Sequence, residues 1–181
     1  DDYFQSSLFT IARRRILWLL ILVLANGLTT KVIAMNDQIL KEIVLLAAFI
    51  PLLIGTGGNV GAQSSTVVIR GLSTQKLKSL GAIKAVFKEA ITGALLGVLM
   101  MLVVFPFAWW QGEGPLIASA VGISLISITT LAATTGAILP LLFDRMRLDP
   151  ALMSSPFITT VTDIAGVFIY LSTAKWLLSS S

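Results

Sequence analysis

Five apolar stretches, each long enough to cross a bilayer as a helix, constrain this chain more than any other feature. They cover residues 16–35, 39–69, 85–109, 115–143 and 156–178. About 20 consecutive apolar residues, rising about 1.5 Å each, suffice to span a hydrocarbon core. Lipid leaves no partner for exposed backbone groups, so helices of this length are the structures such stretches can adopt. The expected fold is therefore all-α: a polytopic membrane protein with five transmembrane helices per chain. The segment ahead of Ile16, "SSLFTIARRR", reads as a short amphipathic juxtamembrane helix, so residues 1–15 form a cytoplasmic linker and residues 16–181 the membrane domain. The first stretch is not a signal peptide, because it lacks a small-residue cleavage pattern and four more spans follow.

Composition narrows the chemistry. The chain is 56% hydrophobic and 12% charged, with a mean hydropathy of +0.91, which is too oily for a soluble domain of this length. It contains no Cys and no His, which excludes disulfides, thiol or imidazole catalysis and the usual zinc sites. The net charge of +4 sits in short clusters beside apolar runs, a pattern suited to anionic lipid headgroups rather than nucleic acid. With the N-terminus in the cytoplasm, Arg13, Arg14, Arg15, Arg70, Lys76, Lys78, Lys84, Lys88, Arg145 and Arg147 fall on the inner side. That is ten of the thirteen basic residues, only Lys31, Lys41 and Lys175 lying outward. The positive-inside rule favours this orientation, and an odd number of spans leaves the C-terminus extracytoplasmic. Trp109 and Trp110 suit the outer interface and Trp18 the inner one.

The second span carries an unusual patch, "GTGGNVGAQ", which places Gly55, Gly57, Gly58 and Gly61 around Asn59, ahead of Gln63. The spacing fails as a dinucleotide fingerprint, because Val60 stands where the third glycine belongs and no strand–helix alternation surrounds it. Two readings stand. Gly57 and Gly61, four apart like Gly93 and Gly97, permit close helix packing. Alternatively the helix breaks or loosens there beside a water-filled path, where glycine carbonyls and the amides of Asn59 and Gln63 offer an uncharged, oxygen-rich surface to a hydrated cation.

The fifth span holds a carboxylate. Taking the helix to start near Pro156, Asp163 lies about 10 Å inside it. A carboxylate at membrane depth costs roughly 2.5–3.5 kcal/mol on insertion scales, so it requires a cavity, a partner or an ion. No Lys or Arg lies mid-membrane to pair with it, and the structural alternative is a neutral acid bonded to Thr159. Ser155, Thr159, Thr162, Asp163 and Gly166 share one face at three- and four-residue steps, as a pore-facing stripe would. Glu89 stands at the inner end of the third span, either as an interfacial snorkelling charge or as a site residue. Asp144, Asp149 and Glu113 read as solvated loop residues, and Asp37 and Glu42 as a wet loop or a cation-concentrating outer mouth. The hydroxyls of Ser127, Thr129, Thr130, Thr134 and Thr135 are expected to serve helix packing, satisfying one another across helices, in preference to the alternative of ion contact. Carboxylate, carbonyl and hydroxyl oxygens suit a hard cation. One deep carboxylate per chain suits an ion that keeps its waters, which leans to Mg²⁺ over Ca²⁺ and leaves Na⁺ and H⁺ open.

Three stretches carry a family resemblance. "PLLIGTGGNVGAQSSTVVIRGL" resembles the second-span motif of the MgtE family of magnesium channels, "LDPALMSSPFITTVTDIAGVFIYLS" its last span, and "DDYFQSSLFTIARRRILWLL" the linker into its pore. The likeness covers essentially the whole chain. It implies a five-helix membrane domain, paired as a homodimer around a central path lined by the second and fifth helices, in the cell inner membrane. It implies that Asp163 is the pore carboxylate holding hydrated Mg²⁺. Ser155 and Thr159 would then offer backbone carbonyls to the ion's waters, with Thr159 standing where some relatives have alanine. Gly57, Gly58, Asn59 and Gly61 match the motif beside that site, and Glu89 an acidic position linked to further cation sites near the cytoplasmic mouth. The cytosolic helical and CBS sensor domains of full-length members have no counterpart here. A chain opening at Asp1 without Met is accordingly expected to be a piece of a longer protein. The function expected is a Mg²⁺ channel pore and not an enzyme. An alternating-access divalent carrier is the nearest rival and a membrane scaffold a more distant one.

Overall fold

The computed structural model describes residues 7–42, 44–74 and 79–179. Among these the chain forms α1 (Leu8–Ala34), α2 (Asp37–Glu42), α3 (Val44–Ser73), α4 (Ser79–Ala108), α5 (Gly114–Arg145) and α6 (Pro150–Ser179), with one π-helical turn, Trp109–Glu113, between α4 and α5. Five helices are long and apolar enough to cross a membrane, all except the short α2. The expected all-α fold with five spanning helices is what the structure shows.

Several element boundaries differ from those the hydropathy suggests. α1 runs unbroken from Leu8, so residues 8–15 continue the first span, while residues 1–6 of the expected linker lie outside the described residues. Its start is fixed by Ser7, whose Oγ accepts a bond from the Thr10 backbone N–H at 3.3 Å. The separate short helix is α2, between the first two spans. The expected interruption of the second span is also absent, because α3 is continuous through Pro51 and the whole glycine cluster. Proline deletes one backbone hydrogen bond, and in a membrane the surrounding helices hold the remainder in register.

α6 begins six residues before the apolar run does. Asp149 caps it, with Oδ1 accepting from the N–H groups of Ala151 at 2.9 Å and Leu152 at 3.4 Å, and Pro150 occupies the first helical position, where its missing N–H costs nothing. Just upstream, α5 ends with Arg147 at φ 58°, while Leu148 N–H reaches Phe143 O at 2.9 Å and Arg147 N–H reaches Asp144 O at 3.0 Å. Those paired bonds are a Schellman closure, which satisfies the last carbonyls of α5 and turns the chain directly into the Asp149 cap. Asp149→Ala removes that cap. The detergent-solubilised variant is expected to lose about 1 kcal/mol of stability, read as a lower thermal unfolding midpoint, with Asp149→Asn close to wild type.

α5 is the central helix. α3, α4 and α6 pack around it, and α1 rests against α6 at the periphery with Thr29 as its buried residue among those described. Small residues set the close crossings. A Cβ on Gly93 would stand 2.5 Å from Thr129 O and 2.6 Å from Ala133 Cβ, and one on Gly97 would meet Thr129 and Ile126, so the expected packing role of Gly93 and Gly97 is realised between α4 and α5. Tyr170, fully buried on α6, donates its hydroxyl to Leu46 O on α3 at 3.0 Å and ties those two helices together near one end.

Candidate functional site

The site is built on α3 and α6, which run antiparallel. Gly57 lies beside Thr162 and Gly61 beside Ile158, so the two helices are in step through this region. The glycine cluster divides by face. A Cβ on Gly57 would fall 2.7 Å from Ile128 Cγ2, and one on Gly61 would collide with Ile158, so both glycines serve close packing against α5 and α6. Gly55 and Gly58 meet nothing within 4 Å, and Asn59 and Gln63 are exposed. The open face of α3 therefore presents Gly55, Gly58, Asn59 and Gln63, and its closed face presents Gly57 and Gly61.

Asp163 lies further along its helix than the apolar run implies. With the helix starting at Pro150, the carboxylate lies about 20 Å along α6, near its midpoint. It is half-buried. Its Oδ1 is fully buried and has no hydrogen-bond partner among the described residues. The bond to Thr159 considered from the sequence does not form, because Thr159 Oγ1 donates to Ser155 O at 3.0 Å instead. The stripe also splits. Ser155 and Thr159 are exposed, Asp163 is intermediate, and Thr162 and Gly166 are buried against the neighbouring helices. Ser155, Thr159 and Asp163, at four-residue spacing, form the edge of α6 that borders its open side.

Glu89 is not part of that cluster. It is half-buried on α4 and accepts a hydrogen bond from Ser64 Oγ on α3 at 2.6 Å. Ser64 is seven residues from Gly57, so this contact lies about 10 Å further along α3 than the level of Asp163. The α5 hydroxyls behave differently from expectation. Ser127, Thr129, Thr130 and Thr134 bond to carbonyls of their own helix, at 2.6 to 3.2 Å, and not across to one another. At this depth a back-bond to the i−4 carbonyl is always within reach, whereas a cross-helix partner requires matching register. At the α2 end, Asp37 pairs with Lys41 at 2.6 Å, and that ammonium holds its carboxyl below the usual range. Sequence reasoning missed Ser64 and the capping role of Asp149. The Asp-Pro pair that opens α6 was a readable signal for the cap, while nothing in the sequence singles out Ser64 among so many hydroxyls.

No group of three or more Asp, Glu, His or Cys that could hold a metal occurs among the described residues. Among the described residues no such acidic cluster stands ready for a bare cation. Asp163 can instead bond the outer waters of a hydrated ion.

Comparison with known proteins agrees with this architecture. The family model MgtE, described as a divalent cation transporter, matches residues 50–173, which include α6 as far as Thr173 and nearly all of α3. Three curated relatives are each called magnesium transporter MgtE. The protein from Thermus thermophilus is 39% identical over 166 residues, 92% of this chain and 37% of its own length. That from Bacillus subtilis is 33% identical over 181 residues, 99% of this chain and 40% of its own. That from Enterococcus faecalis is 34% identical over 168 residues, 91% of this chain and 36% of its own. The chain thus spans well under half the length of these relatives. With a matched model covering most of the five-helix unit and both helices of the site, the chain belongs to the MgtE family of divalent cation transporters.

Proposed function

We propose that this chain forms the pore of a Mg²⁺ channel, with α3 and α6 from two copies lining one conduit on a two-fold axis. The observation that carries the reading is Asp163, a carboxylate midway along an apolar helix with a buried oxygen that has no hydrogen-bond partner among the described residues. A group that costs several kcal/mol to place at a helix centre is retained where an ion or its waters complete it. One copy supplies one such carboxylate. A two-fold axis beside the open faces of α3 and α6 brings two together, so a hydrated divalent ion meets two negative charges and a surround of hydroxyls, amides and carbonyls. In this arrangement Ser155 and Thr159 turn their backbone oxygens to the ion's waters, and Gly58 and Asn59 line the opposing wall at the same level. Gly57 and Gly61 hold that wall in place. Glu89 attracts cations at the inner mouth. The N-terminus is cytoplasmic, the C-terminus is extracytoplasmic, and cytosolic sensor domains belong to the whole protein. Residues 1–15 lead toward those domains, the last eight of them as the first turns of α1, and residues 16–181 form the pore domain.

Purified protein in liposomes is expected to take up Mg²⁺ in preference to Ca²⁺ and Co²⁺, and to elute in detergent with the mass of a dimer by light scattering. A protein that is only monomeric, or liposomes without divalent uptake, would remove the two-copy pore. An alternating-access carrier is the competing mechanism, and planar-bilayer recording separates them. Discrete unitary currents identify a channel. Transport confined to carrier-like turnover, without unitary events, identifies a carrier.

A further inference from the structure

We propose that the groove between α4 and α5 at their Arg145 end binds an acidic glycerophospholipid. One acyl chain lies along its apolar walls and the phosphate meets the Arg145 guanidinium. Only the assignment of that end to the cytoplasmic leaflet rests on the reading above.

The groove has a volume of about 200 Å³. Ala82, Ile83 and Val86 of α4 and Ile138, Leu141 and Leu142 of α5 line it, with Arg145 at its end. From Ile138 to Arg145 the helix rises about 10 Å, so hydrocarbon gives way to charge along the axis as it does in a phospholipid. The groove faces away from α3. That helix meets α5 at Gly136, and Ile138, Leu141, Leu142 and Arg145 all stand at least about 120° around α5 from this glycine. No described residue of α3 or α6 lines the groove, so it is separate from the open faces that build the proposed pore.

Ile83, Ile138 and Leu142 are exposed, and among the described residues no other helix covers the groove. Arg145 is also exposed and has no ion pair among the described residues. Its neighbour Asp144 lines a different recess, with Ile69, Leu72 and Ser73 of α3, so the two charges face different sides. The guanidinium is not needed to close α5 either, because the N–H groups of Arg147 and Leu148 already reach its last carbonyls. A planar fork of donors at the rim suits phosphate oxygens, while the apolar stem of the arginine extends the groove wall. Basic recesses between helices at the cytoplasmic level select acidic headgroups, because a zwitterionic lipid brings a cation of its own.

The test titrates detergent-solubilised protein with dioleoyl phosphatidylglycerol, dioleoyl phosphatidylcholine or glycerol phosphate, and reads bound adducts by native mass spectrometry. Wild type is compared with Arg145→Gln, Arg147→Asn and Ile138→Trp, each first shown to elute as the wild type does. Leu142→Trp replaces Ile138→Trp if that variant does not fold. Wild type is expected to hold one phosphatidylglycerol per chain at least about fivefold more tightly than phosphatidylcholine. Arg145→Gln is expected to lose that roughly fivefold preference, the worth of one basic residue beside an acidic headgroup. Arg147→Asn, which removes a charge nearby and suits the left-handed backbone there, is expected to keep it. The tryptophan, which fills the groove and leaves the charge, is expected to weaken both lipids severalfold. Equal affinity of wild type for the two lipids overturns the proposal. So does an equal loss in Arg147→Asn, which would mean diffuse surface charge, or undiminished lipid binding with the groove filled. Glycerol phosphate that competes as well as intact lipid would make this a soluble-anion site and overturn it too. Binding in detergent depends neither on orientation nor on ion conduction, so any of these failures leaves the pore reading standing.

Discussion

Liposomes carrying Asp163→Asn are expected to lose at least about nine-tenths of their Mg²⁺ uptake, and to lose preference for Mg²⁺ over monovalent ions, while the protein still elutes as a sharp dimer. At an effective dielectric of about 20, a carboxylate about 5 Å from a divalent ion contributes several kcal/mol, and each 1.4 kcal/mol or so is a factor of ten. In a two-fold pore one substitution removes two charges from one site. The fold should survive, because no hydrogen bond among the described residues depends on Oδ1. An amide is also cheaper to hold at mid-membrane than an unpaired carboxylate. The two measurements answer separate questions. Normal uptake by a well-folded Asp163→Asn dimer moves the ion site to the open face of α3 around Asn59 and Gln63. Aggregation of the variant returns Asp163 to a structural role.

The number and identity of the spans were legible because hydropathy reports directly on what lipid tolerates. Asp163 was legible for the same reason, since a charge stands out against an apolar run. Where helices extend past the hydrocarbon was not legible from that signal. Residues 150–155 are helical but lie ahead of the apolar run, so α6 appeared to start at Pro156 and Asp163 appeared half as far along its helix as it lies. The sense of the glycine cluster was also hidden. Gly57 and Gly58 are neighbours of the same type, yet one abuts Ile128 and the other meets nothing. That distinction belongs to α5, the helix packed behind them, and not to local propensity. Pro51 suggested a break because its effect on an isolated helix is severe, whereas in the assembled bundle α3 carries it without interruption. The Ser64–Glu89 contact joins residues 25 apart on separate helices, and no periodicity rule reaches across such a gap.

A close backbone approach between α3 and α5 sets the second large expected effect. A Cβ on Gly136 of α5 would collide with the carbonyl oxygen of Gly61 and stand 3.1 Å from its Cα and carbonyl carbon. Those atoms are helix backbone and cannot rotate aside as a side-chain tip can. Gly136→Ala is therefore expected to force α3 and α5 apart at the level of the site, costing about 1–3 kcal/mol as overpacking does, and Gly136→Val is expected to prevent folding. The same alanine at Gly55, on the open face of α3 where nothing stands within 4 Å, is expected to leave the folded unit intact and slightly favour the helix. The readout is the thermal unfolding midpoint in detergent together with Mg²⁺ flux. Gly136→Ala should lose both, because α5 buttresses the wall that, in the proposed pore, Gly58 and Asn59 present to the ion. A Gly136→Ala protein with wild-type midpoint and flux would mean that α3 and α5 are not in backbone contact there, and the placement of that wall would have to be redrawn.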